Sequence, residues 1–479
     1  MAAKIEKTKV GELASKSFYT LLKSSLEDES IYAGVSYFPD SDWNVYAGSR
    51  DSESTYWGGR DSDYGILDKT YYNQTMYSMH KVLPGGISRV VPRRDWTYGV
   101  TYNSYPTEDA YVLVKEYISG YMSVNIYKCL FSPRTPSLYA PTGTSSAPIT
   151  MGDSYIWKYL YTISNSQSIR FLNDKWMPIS ERISPSEYAN ITTDSPNYNQ
   201  YLSQLNAEQG TVYDVVIDSD TLLQTIRNDS DLRVTFNWNS MDLIGLDNKA
   251  NTPKRTFKVK LNWDSGANKF TTTLSEYGQG YIGPVTIQRD SETGPIAGLS
   301  GVMAPSEGHG SNVPSEMKAT NVMVSVRNIP DEANSVVYAN SMYNMITLHL
   351  NPIDRETARI AQNEFYVTCD SFEIDGNFSY SVGEILRPYY NDDGRRIQII
   401  STKGERVYYI VTRQGREYDS FADSEVVSLV NGNKARAIKK THPRNINFNS
   451  SDLLIADYKE SEVLRSDGQI ESFNFILSF

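Results

Sequence analysis

The stretch from Met79 to Trp96 constrains this chain more than any other part of it. Pro84 has no backbone N–H and a fixed φ, so it ends whatever helix or central strand precedes it. Gly85 and Gly86 then permit a sharp reversal. Ile87 to Val91 is a short apolar run closed by Pro92, and Arg93, Arg94, Asp95 and Trp96 follow at once. Two guanidinium groups, a carboxylate and an indole in consecutive positions form a closed polar network only on a rigid backbone, because a buried arginine must be paired. Two roles are open to Arg93, Arg94 and Asp95. One is an internal ion-pair network that pins the loop to the core. The other is bidentate contact with a phosphate or a partner's carboxylate.

Around this segment the hydrophobic pattern sets out the elements. Val10, Leu13, Ala14, Phe18, Leu21 and Leu22 recur at helical spacing, which predicts a helix over 4–27. Residues 31–65 read as a long structured loop. Tyr72, Met76 and Met79 lie on one face of a short helix expected over 69–82. Alternation predicts strands at 110–118 and 121–130, with Ser119-Gly120 as the hairpin turn. A Pro/Ser/Thr-rich loop at 133–148 leads to a strand within 151–163 that carries Trp157 and Tyr159.

Between 195 and 320 short β-like runs at 212–217, 232–238, 257–263, 270–274 and 281–288 are punctuated by Gly, Asn and Asp. This reads as an inserted all-β domain. A strand over 345–353 ends at Asn351-Pro352. A second β module follows at 368–432, with strands at 382–384, 397–400, 407–411 and 426–430, and a last alternating strand covers 473–477. The expected fold class is mainly β, or β-rich α+β: a layered β core with a few short helices and inserted all-β modules. Its parts are the N-terminal core at 1–194, the insertion at 195–320, a return to the core at 321–367, the small module at 368–432 and C-terminal core strands at 433–479.

Composition narrows the function classes. A net charge of −11 argues against a nucleic-acid partner. No apolar stretch approaches the ~18 residues needed to span a bilayer, and the first ten positions have no apolar run, so neither membrane insertion nor a signal peptide is expected. Cys129 and Cys369 are the only cysteines and form no CxxC pattern, so two buried free thiols are expected. The 36 tyrosines against 15 phenylalanines fit two readings, half-exposed strand positions or surfaces that become buried on association.

Signatures of chemistry are weak. Gly278-Gln279-Gly280-Tyr281-Ile282-Gly283 matches GxGxxG, but Pro284 to Gln288 reads as a strand where a pyrophosphate-binding helix would have to begin. Asp61-Ser62-Asp63-Tyr64-Gly65 opens like a calcium loop, yet Ile66 and Tyr72 stand where Gly and Glu are required. His80, His309, His349 and His442 form no HExxH or HxxxH pattern. Asp392-Asp393 beside Gly394 reads as a turn. There is no GxSxG elbow. No catalytic residue, no metal ligand, no cofactor and no enzymatic activity are expected.

Three segments carry a resemblance. Lys81-Val82-Leu83-Pro84 followed by Val91-Pro92-Arg93-Arg94-Asp95-Trp96 resembles the baseplate wedge proteins of T-even-type contractile-tailed bacteriophages, in particular the wedge-subunit family known as the eighth gene product of that baseplate. Met151 to Leu160 is similar to that family's Gly-Asp-Gly-Tyr-x-Trp-x-Tyr-Leu pattern, with Ser154 in place of its second glycine. Asp467 to Leu477 resembles the family's closing turn and strand, stretched by a residue. Weaker echoes are Pro305 to Gly310, where Glu307 departs from Pro-x-Gly-Gly-His-Gly, and the apolar run ending at Asn351-Pro352. The strong resemblance covers 70–165 and the last thirty residues. It implies a homodimer that joins other wedge subunits during baseplate assembly and transmits the rearrangement on infection. It implies a virion protein, assembled in the host cytoplasm. Arg93, Arg94, Asp95, Trp96, Trp157 and Tyr159 are then a structural or interface signature. The alternative is a receptor- or carbohydrate-binding tail protein; a tail hydrolase comes third.

Overall fold

The computed structural model of this chain describes residues 7–24, 30–37, 73–105, 110–118, 121–193, 195–249, 252–290, 294–328, 342–374, 380–388, 396–413, 426–429, 436–447, 449–464 and 471–479. The protein is mainly β, with several sheets and few helices. Its chain divides into two compact units. One comprises Met1–Ser17, Ser88–Met323 and Leu477–Phe479; the other comprises Phe18–Ile87 and Val324–Ile476.

In the first unit the strands Tyr111–Ile118 and Tyr121–Phe131 pair antiparallel without interruption, from Tyr111 opposite Lys128 to Ile118 opposite Tyr121. The turn between them lies outside the described residues. Ile156–Ile163 pairs along the other side of Tyr121–Phe131, and Ile149–Thr150 completes a four-stranded sheet. Successive side chains on a strand point to opposite faces. Val112, Tyr127, Trp157 and Tyr159 therefore enter one core, with Tyr102 and Tyr155. Leu113, Ile126 and Tyr161 enter another, with Met177, Ile179 and Val313, and Leu160 joins it because the register shifts between Ile126 and Tyr127 and leaves Leu160 without a partner in the ladder. Both faces are covered, so this sheet is interior throughout its middle.

A six-stranded antiparallel sheet follows, ordered Lys269–Glu276, Lys258–Asp264, Ser240–Asp247, Val285–Arg289, Leu299–Met303, Val212–Ile217. One expectation fails here. The run 232–238 alternates Leu, Val, Phe and Trp like a strand, but Ser230–Phe236 is a helix. Asp229 caps it by accepting from the Asp231 and Leu232 N–H groups, which satisfies two of the donors a helix start leaves open. Leu232 and Phe236, one turn apart, are buried, while Val234 is 76% exposed. With Leu222 and Ile226 of the helix Ser219–Asn228 they join the core of the sheet. The GxGxxG run leads into the strand Val285–Arg289, which is not a phosphate-binding geometry.

The second unit holds a five-stranded sheet ordered Phe365–Val367, Met76–Lys81, Ile31–Ser36, Met342–Leu350, Asp452–Leu464. The helix expected over 69–82 fails in its second half: residues 73–75 are helical, 69–72 lie outside the described residues, and Met76–Lys81 is a strand paired on both sides. A strand buried on both faces loses its alternation, and three apolar residues then fall at helical spacing by accident. Ile31–Ser36 is likewise a buried strand at the start of the expected loop. The rest of that loop, the calcium-like Asp61 to Gly65 and the Asp392-Asp393 pair lie outside the described residues.

Downstream, six strands close into a barrel, ordered Asp370–Ile374, Arg406–Arg413, Arg396–Lys403, Ile385–Pro388, Val426–Leu429, Arg436–His442. It is filled by Phe372, Leu386, Ile397, Ile399, Val407 and Tyr409. The strand expected at 382–384 starts instead at Ile385, after a turn in which Gly383 has φ +85°. In the last strand, Glu471–Ser478, Phe473 and Phe475 are buried between exposed neighbours, and the adjacent strand is Asn321–Asn328.

Ser154 carries a measurable backbone cost. It sits in the tight turn before Ile156–Ile163 with φ +69°, and its N–H donates to Met151 O at 3.0 Å. An L-residue pays roughly 1–2 kcal/mol in that region, and glycine pays none. Part of the gain from glycine is returned as unfolded-chain entropy. Ser154→Gly should therefore stabilise the protein by about 0.5–1 kcal/mol, read as a raised denaturation midpoint at unchanged slope.

Candidate functional site

The signature segment is built around the edge of the four-stranded sheet. Trp96 N–H donates to Leu113 O at 2.9 Å and Leu113 N–H donates to Arg94 O at 2.7 Å, so residues 94–96 run alongside Tyr111–Ile118. Arg93 grips Asp95 bidentately, Nε to Oδ1 at 2.7 Å and Nη2 to Oδ2 at 2.6 Å, and its Nη1 donates to Asn173 O at 2.9 Å. Arg93 and Asp95 thus make a local fork that ties the segment to the loop at 173. The Arg94 side chain lines a cavity of about 400 Å³ with Tyr111, Lys318 and Asn321.

The aromatic members come together. Trp157 and Tyr159 have no exposure, and the Trp157 ring meets Tyr102 edge-on at 5.5 Å and stacks with Tyr155 at 5.8 Å. Trp96 is half-buried against the same cluster and donates its indole N–H to Ser137 Oγ at 3.2 Å. Burial pushes the Tyr155 and Tyr159 hydroxyls up to about 12, so both stay neutral donors. Cys129 in this cluster is a buried free thiol whose ionisation burial suppresses, and Cys369 is another.

Beside this cluster lies a buried charge network that motif searching missed. Lys128 and Lys158 are directly opposite each other across paired strands, and they are 2% and 3% exposed. Lys128 Nζ donates to Ser104 O at 2.7 Å, and Lys158 Nζ donates to Ser146 O at 2.6 Å. Burial holds both lysines below the ordinary range, Lys158 at about 8, against the pull of Glu316 on each.

The Glu316 side chain is 4% exposed and meets His309 Nδ1 at 2.5 Å, while Gly310 N–H donates to its other oxygen at 2.8 Å. Burial alone would raise the Glu316 carboxyl, but His309, Lys128 and the Gly310 N–H together hold it below the usual range. Asp214, with no exposure, accepts from Ser104 Oγ at 2.5 Å, from Ser132 N–H at 3.1 Å and from Arg134 at 3.3 Å. No local sequence signal singles out Lys128 and Lys158, because a lysine on a strand is ordinarily a solvent-facing position.

A cavity of about 390 Å³ opens beside this network, lined by Lys158, His309, Glu208, Asn206, Tyr213 and Tyr277, among others. The remaining histidines sit apart. His349 bridges Ser451 and Thr347, His442 pairs with Glu373 at 2.8 Å, and His80 lies beside Ser78. Among the described residues no group of three or more His, Cys, Asp or Glu side chains is placed to hold a metal ion, and no helix is long and apolar enough to cross a membrane.

No protein-family model and no curated protein matches the sequence.

The site makes two quantitative predictions. Trp157→Ala should cost about 3–5 kcal/mol, the range for truncating a packed aromatic, whereas half-buried Trp96→Ala should cost clearly less; both are read by chemical denaturation. Glu316→Gln should cost about 3–5 kcal/mol at neutral pH, because it leaves buried cations without their carboxylate. Since Glu316 titrates lower folded than unfolded, its contribution is complete above the unfolded value near ~4.3 and disappears as pH falls through the folded value. The gap between parent and variant melting curves should therefore close only in acid, below about pH 4.

Proposed function

We propose that this protein is a structural subunit of a contractile-tail baseplate wedge, with no enzymatic role, which pairs with a second copy and joins neighbouring wedge subunits. The observation that carries the reading is where the resembling segments lead. Trp96 and the strand of Trp157 and Tyr159 share one aromatic core, so two motifs far apart in sequence serve one piece of architecture.

Directly beyond that core, tyrosine and aliphatic side chains are exposed. Gly99 N–H donates to Ser137 O at 2.8 Å and Ser137 N–H donates to Val100 O at 2.9 Å, which holds the loops 97–100 and 137–139 together. On them Tyr98 is 69% exposed and Tyr139 53%, beside partly exposed Val100 and Leu138. Contiguous exposed tyrosine and aliphatic surface is the composition of an interface core, where aromatic bodies are buried and phenol tips find partners. A rigid core that ends in a sticky rim suits assembly by fixed geometry.

The test is the solution mass. Sedimentation of the isolated chain should give twice 54.1 kDa at micromolar concentration, and mixing with candidate wedge subunits should give larger, defined species. The double change Tyr98→Ser and Tyr139→Ser should weaken self-association at least tenfold while leaving thermal melting unchanged. A parent that stays at 54.1 kDa and binds no wedge subunit would count against the reading.

A further inference from the structure

Two roles were open to the paired arginines, and the structure divides them. Arg93 is committed to Asp95 and to Asn173 O, whereas Arg94 lines the cavity of about 400 Å³. The apolar part of the cavity wall comes from the otherwise buried Val91, Met177 and Met317. A second cation, Lys318, stands exposed among the lining residues. Glu316 is the one carboxylate among them, and both its oxygens are engaged, by His309 Nδ1 at 2.5 Å and by the Gly310 N–H at 2.8 Å. Lys318 carries an independent observation. It follows the end of the short helix Val313–Glu316 and takes a left-handed φ of +52°, the conformation that glycine usually supplies where a helix stops. Its N–H donates to Ser315 O at 3.2 Å, which holds that turn closed. A residue with a Cβ pays a backbone cost there, and such costs concentrate where a ligand is clamped.

We propose that this cavity binds a medium-chain alkyl carboxylate, its head between Arg94 and Lys318 and its chain against Val91, Met177 and Met317. Charge selects the head. A guanidinium has five donors in a planar fork, so it takes a carboxylate bidentately while keeping a protein partner. The Lys318 ammonium adds a second positive charge, and an alkylammonium head would meet like charge from both residues. The wall selects the tail. Methionine side chains adapt to a flexible unbranched chain, and the cavity lies within the size range of small-ligand sites. Neither part suffices alone: acetate brings the charge without the chain, and an alcohol brings the chain without the charge. The inference goes beyond the assembly role and uses only this cavity, so its failure would leave that reading standing.

The test is isothermal titration of the full chain with sodium octanoate, octan-1-ol, octylammonium chloride and sodium acetate as separate probes. Saturable one-to-one binding of octanoate is expected, with the other three each at least tenfold weaker. Lys318→Gly removes the cation and relieves the backbone, so it should weaken octanoate at least tenfold while raising the denaturation midpoint. A lysine with a merely structural role would move the midpoint and leave the affinity alone. Arg94→Gln should also weaken octanoate at least tenfold, and Lys318→Gly decides the question if that variant does not fold. Absence of octanoate binding, equal binding of octanol, octylammonium or acetate, or unchanged affinity in Lys318→Gly would each overturn the proposal.

Discussion

Asp214 is the constraint on which the first unit depends. It has no solvent exposure and lies on Val212–Ile217, an edge strand of the six-stranded sheet. The effective cost of burying an ionised carboxylate is several kcal/mol unless every oxygen is satisfied. Besides the neighbouring Val215 N–H, the groups that satisfy it come from elsewhere in the chain: Ser104 Oγ, the Ser132 N–H just after Tyr121–Phe131, and the Arg134 guanidinium. Arg134 reaches on to Thr272 Oγ1 and the Val215 carbonyl, and Ser104 O receives the Lys128 ammonium. One carboxylate thus fixes the six-stranded sheet against the four-stranded one through directional contacts that apolar packing could not specify. The positive φ of Arg134, +63°, is a backbone cost borne at this junction.

How much of the fold was legible follows from which faces water sees. The hairpin of Tyr111–Ile118 and Tyr121–Phe131 could be read because Val, Leu, Ile and Tyr alternate with polar positions near its turn. The barrel strands Arg396–Lys403 and Arg406–Arg413 could be read from short runs of β-branched and aromatic residues. Met76–Lys81 could not, since five of its six positions are buried and nothing in the pattern separates a strand between two partners from a short helix. The helix Ser230–Phe236 was hidden by the reverse accident: Val234 is apolar but exposed, and it completes a false alternation with Leu232 and Phe236. Asp229 before the run was the available correction, because an N-cap carboxylate marks a helix start.

The site was legible only where side-chain bulk announces it. Trp157 and Tyr159 read as a structural or interface signature because large aromatics dominate cores and interfaces, and they are fully buried. Arg93 and Asp95 form a fork two residues apart, which needs no tertiary knowledge to anticipate. Lys128 and Lys158 were opaque, because a lysine on a strand is ordinarily a solvent-facing position. Their burial depends on Glu316, far along the chain, arriving over them, and no local pattern encodes that arrival.

Glycine makes the arrival possible. Gly308 and Gly310 take φ of +89° and +85°. A Cβ at Gly308 would stand 2.7 Å from the Glu208 backbone N and O, so that position admits no side chain. A Cβ at Gly310 would stand 3.4 Å from Lys158 Cε, so the loop passes close over the lysine, and the Gly310 N–H turns inward to Glu316. Glu307 points outward to Arg182 at 3.0 Å and has no positive φ to sustain. Glycine is thus present where the backbone must cross above the charge network and absent where the loop faces solvent. The loop places its carboxylate close enough to offset buried lysines that the strand register has forced together.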